Sequence, residues 1–133
     1  MRPCFLLLSA TLLFAGTPAS AQSLSAIGIA GYLSEWQLDA RLSPTSTEGE
    51  FAGPMRIKHV GLCTHDGPDE TTTQLILKMT DAKSWFAKAR SEVRATFVID
   101  GSECRLAGSF SGTYRGAMDC TGTKGVPIEI SIK

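Results

Sequence analysis

The chain contains no asparagine. N-linked glycosylation, which needs Asn-x-Ser/Thr, is excluded. That leans toward a bacterial periplasm or outside medium over a eukaryotic secretory route. Histidine is nearly as scarce, with only His59 and His65. No excess of one charge exists: 13 Lys and Arg offset 13 Asp and Glu, and no basic block stands out. Nucleic-acid binding and strong attraction to anionic membranes are disfavoured on that ground. Neither a Gly-x-Ser-x-Gly elbow nor a paired carboxylate motif occurs. Long apolar runs are missing except one, Phe5 to Phe14. It covers about ten residues, where a membrane span needs about twenty.

That run has a specific setting. Arg2 precedes it, and Gly16, Thr17 and Pro18 break it. Ala19-Ser20-Ala21 then places small residues where a signal peptidase reads them. Residues 1–21 are expected to be a cleaved export signal, leaving a periplasmic or secreted protein that starts at Gln22. Cys4 is removed with the signal, and the absence of a cysteine after the run argues against lipid attachment. About 112 residues remain, enough for one domain with a modest core. No transmembrane segment is expected in that mature chain.

What is present is alternation with a period of two. Trp36, Leu38, Ala40 and Leu42 face one way, with Gln37, Asp39, Arg41 and Ser43 between them. A second strand is expected over about 50–63, with a bulge near His59 or a break at Pro54, because Val60 and Leu62 change parity. A third covers 72–80, with Leu75, Leu77 and Met79 inward. Ala82, Trp85, Phe86 and Ala89 have helical spacing, which predicts a short helix over 81–92. Residues 22–34 are read as an N-terminal segment, either a short helix or a strip lying against the core. The single antiparallel β domain is placed at 35–133.

The C-terminal forty residues give registers. Asp100-Gly101 is a two-residue hairpin signal. It sets Ile99 opposite Ser102, Phe97 opposite Cys104, Ala95 opposite Leu106 and Val93 opposite Gly108. A turn at Ser111-Gly112-Thr113 sets Phe110 opposite Tyr114, Gly108 opposite Gly116, Leu106 opposite Met118 and Cys104 opposite Cys120. A loop at 121–125 sets Met118 opposite Ile128, Gly116 opposite Ile130 and Tyr114 opposite Ile132. Every inward residue then meets an inward residue, and a one-residue slip would invert a strand. The fold expected is an all-β antiparallel meander of about seven to eight strands. It closes as a small barrel, with a β-sandwich as the alternative.

Gly108 and Gly116 lie side by side in the inward row. They mark a space for a small apolar ligand bordered by Trp36, or else a bend or a gap that a ring such as Trp36 covers. Three cysteines remain after signal removal, and an oxidising compartment favours one disulfide. Cys104 with Cys120 is preferred on register, with Cys63 to Cys104 as the alternative; all three fall near one end. His59, Cys63 and His65 are the residues that could hold zinc or copper, but their spacing matches no defined motif. Asp66, Asp69 and Glu70 lack the EF-hand pattern. Cys63 and His65 share a strand face without a third orienting group, so catalysis is not expected. No cofactor is expected either.

Five segments carry a resemblance: Trp36, Gly49-Glu-Phe-Ala-Gly-Pro54, Lys58-His-Val-Gly-Leu-Cys63, Asp100-Gly-Ser-Glu-Cys104 and Gly116-Ala-Met-Asp-Cys120. Together they resemble small exported proteobacterial proteins that have no assigned function. The meander with an early tryptophan is also similar to calycin-type barrels, the lipocalins, avidins and periplasmic protease inhibitors. The lipocalin Gly-x-Trp signature is absent, because Ser34 stands at its first position. The resemblance carries over no site residues and says little about ligand; the half-buried meander without an assembled catalytic set points to a non-catalytic exported binding module for a small apolar ligand or a protein partner. The alternatives are an inhibitor of a secreted or host hydrolase, and a metal-handling protein.

Overall fold

The computed structural model describes residues 22–60, 69–82 and 90–133. Residues 1–21, the segment carrying Cys63 and His65, and residues 83–89 lie outside the described residues. Eight strands follow in order: β1 (Leu24–Ala30), β2 (Trp36–Pro44), β3 (Glu50–His59), β4 (Asp69–Ala82), β5 (Arg90–Ile99), β6 (Ser102–Phe110), β7 (Thr113–Cys120) and β8 (Thr123–Ile132). Each pairs antiparallel with the next, and β1 pairs with β8 to close a barrel. A barrel removes the edge strands that a sandwich would leave.

Several expectations change. Residues 24–30 are neither helical nor laid against the core; they form β1, which supplies the closure. No helix occurs among the described residues, and the helix expected over 81–92 is replaced at both its ends by β4 and β5. Those strands already pair at Asp81↔Ser91, so the ladder takes the residues that a helix would need. β3 does not break at Pro54 and does not bulge before His59. Its register against β2 is the same on both sides of Pro54. The ladder skips only Arg41 and Leu42, where the missing proline N–H leaves a gap. Gly53 makes that close approach possible, because a Cβ there would overlap the Arg41 carbonyl.

The β5–β6 register is as expected, from Ile99↔Ser102 to Val93↔Gly108. Asp100 and Gly101 have φ of 48° and 75°, the pair of positive values that a tight hairpin needs. The β7–β8 register is shifted by two residues, with Gly116 opposite Ile128 and Tyr114 opposite Ile130. The turn tightens to Thr121-Gly122, and a bulge opposite Asp119 absorbs the surplus. Gly125 sits there at φ 71° and donates its N–H to Asp119 Oδ1 at 3.0 Å. A shift of two preserves parity, so the same side chains stay inward.

Inside lie Leu38, Leu42, Met55, Ile57, Leu75, Leu77, Phe97, Met118 and Ile130, all buried. An eight-stranded barrel is just wide enough for side chains to fill it. No charged residue is buried among the described residues. Outside, seven strands carry charge, from Asp39 on β2 to Glu129 on β8. β1 alone presents none: its outward residues are Ser25, Ile27 and Ile29.

The β6–β7 seam is the weak join. Only Cys104↔Cys120 and Arg105↔Asp119 pair. Beyond them the expected Gly108–Gly116 and Leu106–Met118 pairs do not form, and the Tyr114 ring fills the place. A Cβ on Gly108 would come within 2.7 Å of Tyr114 Cε2, and one on Gly116 within 2.6 Å of its hydroxyl oxygen. The hydroxyl donates to the Ala117 carbonyl at 2.9 Å and lies 3.5 Å from the Ala107 carbonyl. Ala107 and Ala117 would face each other in a continued ladder, so the phenol stands where their bond would be. Tyr114→Phe leaves that carbonyl without its donor. It is expected to lower stability by about 1–2 kcal/mol, read as a lower urea midpoint. An unchanged midpoint would show that the hydroxyl contributes nothing to closing the seam.

Candidate functional site

The connection from β1 to β2 is built to hold one shape. Gly31 takes φ 97°, and any Cβ there would strike the Glu35 carboxylate. That carboxylate accepts the Leu33 N–H at 2.8 Å. Ser34, a non-glycine, is held at φ 55°, a conformation that costs about 1–2 kcal/mol. Three backbone bonds brace the turn: Ser34 N–H to Gly31 O at 3.2 Å, Gly31 N–H to Pro127 O at 2.9 Å, and Val60 N–H to Glu35 O at 2.7 Å. They tie it to β8 on one side and to the end of β3 on the other.

This braced turn aims its two largest side chains at water. Tyr32 is 66% exposed and Leu33 is 88% exposed. Val60, hydrogen-bonded to the same turn, is also exposed. A single exposed leucine is ordinary. Adjacent Tyr and Leu on a strained, fixed turn give the fold no burial in return for that strain, and such features concentrate at functional sites.

Below the turn, on the outer face of the same ribbon, runs a groove of about 550 Å3. Ile27 and Ile29, 48% and 41% exposed, form its floor, with Gln37, Asp39, Arg56 and Lys58 along one wall. Its charges are compensated locally. Arg56 lies 4.0 Å from Asp39 and 3.6 Å from Glu70. On the opposite margin Arg115 holds Glu129 through two nitrogens, at 2.7 Å and 3.2 Å. The hydrogen bond and then the charge of Glu129 raise the Arg115 pKa above its ordinary value. Pairs this exposed contribute little to stability, and the charged Lys58 also lines the groove.

The residues singled out from sequence are spread over the barrel. Gly108 and Gly116 are together beneath Tyr114, so the ring over the glycine gap is Tyr114 and not Trp36. Trp36 is half-buried at the other side, with its ring 4.5 Å from that of His59, its cross-strand partner. Cys104 and Cys120 are disulfide-bonded, with Cα atoms 3.9 Å apart. Cys63, His65 and Asp66 lie outside the described residues. Asp69 and Glu70 belong to β4 and not to a loop, and Glu70 faces Arg56. No group of three His, Cys, Asp or Glu side chains that could hold a metal occurs among the described residues.

Tyr32, Leu33, Ile27 and Ile29 were not legible as a site. The signal was present: Ile27 and Ile29 share a parity, and Gly31 follows. It has meaning only once 24–30 is a strand with an outer face. No helix among the described residues is long and apolar enough to cross a membrane. No protein-family model, no curated protein and no solved structure matches this chain.

Proposed function

We propose that this is an exported, non-catalytic protein-binding module that recognises its partner through the β1–β2 ribbon. The signal-like segment 1–21 directs export, and cleavage after Ala21 leaves a barrel starting just before β1. The single observation that carries the reading is Leu33. Among the described residues it is the most exposed large apolar side chain, and it stands on a turn held by four hydrogen bonds. Pre-organisation of this kind lowers the entropy lost on binding, and tyrosine beside an aliphatic anchor is a common hot-spot composition. A small apolar ligand inside the barrel is a weaker reading, since Phe97, Met55 and Tyr114 occupy that space.

The turn also has the form of an element that enters a concave site, which favours a hydrolase inhibitor as the second reading. A photo-crosslinking residue placed at position 33 in intact cells tests the ribbon. It is expected to trap one discrete product, while the same probe at Val98, exposed on β5, traps none. Equal trapping at both positions, or none at 33, would remove the turn from recognition.

A further inference from the structure

We propose that the β6–β7 seam is a thiol-controlled opening: reduction of the Cys104–Cys120 bond parts the barrel wall there while the rest of the sheet stays folded. Each of the other seven seams is laddered through five residue pairs or more. This seam has two, and the cystine is one of them. The cystine is flanked by the Arg105↔Asp119 pair and by the Thr121 N–H, which donates to the Glu103 carbonyl at 2.9 Å. Past Arg105 no residue pair joins the two strands. Tyr114 fills the space, but its hydroxyl donates to Ala117 on its own strand and lies 3.5 Å from the Ala107 carbonyl on β6.

The far end of the seam fixes how it parts. The turn at Ser111-Gly112 joins β6 to β7, so separation starts at the cystine end. Turn and β7 move with β8: the Ile132 N–H donates to the Gly112 carbonyl at 3.0 Å, and the Thr113 and Ser131 hydroxyls are 2.9 Å apart. β6 stays with β5, to which it is paired along its whole length. All eight strands then remain joined through seven seams, running from β7 through β8 and β1 round to β6. The closed barrel becomes a continuous sheet with two free edges, and not an unfolded chain.

The sulfur atoms suit exchange with a dithiol. Cys104 is fully buried, whereas Cys120 is half-buried at the end of β7. One thiolate of the dithiol attacks Cys120 Sγ, and the electron pair of the broken S–S bond leaves on the Cys104 sulfur. The second thiolate attacks the dithiol's own sulfur in the mixed disulfide and expels Cys120. The dithiol ends as a disulfide, and its two protons end on the two cysteines. The Cys104 thiol then has an acceptor in place, because the Ser102 carbonyl lies 3.6 Å from its sulfur.

Hydrogen exchange of the mature chain with and without excess dithiothreitol, in the absence of denaturant, tests this. Reduction is expected to speed exchange by about ten-fold or more over 106–110 and 113–119, to leave β2 to β4 unchanged, and to reverse on reoxidation. Cys104→Ala with Cys120→Ala should show the opened pattern from the start and ignore dithiothreitol. A cystine that resists dithiothreitol in the folded protein overturns the proposal. So does a reduced chain with unchanged exchange, or one in which all eight strands lose protection together.

Discussion

Leu106→Asp is expected to leave the chain without a cooperative unfolding transition. Leu106 is buried in the common core and lies directly across from Ala95. No charged side chain is buried among the described residues, so nothing nearby would pair with the new carboxylate. An unpaired buried charge costs several kcal/mol, against a total stability of about 5–15 kcal/mol for a domain of this kind. The position makes matters worse. β6 is fully laddered to β5 but joined to β7 by only two pairs, so its inward side chains hold much of that wall in place. Circular dichroism on heating checks this. A variant that melts like the wild type would mean that residue 106 does not face the interior.

The second large effect concerns the disulfide. Removing it by Cys104→Ala with Cys120→Ala is expected to cost about 3 kcal/mol, the scale for closing a loop of about 15 residues. Across an ordinary hairpin a directly opposed disulfide adds little, since the ladder already fixes the ends. Here the ladder is short. The only β6–β7 pairs are the bonded cysteines and their neighbours Arg105 and Asp119. Backbone bonding beyond them is interrupted by the Tyr114 hydroxyl. The covalent link therefore replaces hydrogen bonds that the seam lacks. Hydrogen exchange should show the β6 and β7 amides becoming unprotected in the double variant, while β2 to β4 change less. Thiol titration of the denatured wild-type mature chain should read one free thiol, Cys63. Three would mean that the bond does not form in solution, and an unchanged urea midpoint in the double variant would mean that it is dispensable.

Much of the wall from β5 to β8 was readable one residue at a time. Phe97, Leu106, Met118 and Ile128 alternate with charged or small neighbours, and all four are buried as that alternation implies. Asp100-Gly101 fixed a register because the turn leaves only one way for the flanking residues to meet. The β7–β8 pairing differs by two from the register that a loop over 121–125 implies, because Gly125 sits in a bulge and not in the turn. The ends of the helix expected over 81–92 are strand for a related reason, residues 83–89 lying outside the described residues. Ala and Trp at helical spacing are a weak preference, and hydrogen bonding between β4 and β5 overrides it at both ends.

The sequence by itself determined which side of each strand from β2 to β8 turns inward, and hence that the interior would be apolar and the surface charged. A side-chain period of two is a local property, and it survives any register shift by two. Only the tertiary structure decided that 24–30 is a strand, since its glycine and small residues acquire partners only when β2 and β8 are both in place. It also decided that Tyr114 would lie over the two glycines, and that Tyr32 and Leu33 would be left in water. Each of these depends on contacts between residues far apart in the chain, which no local pattern records.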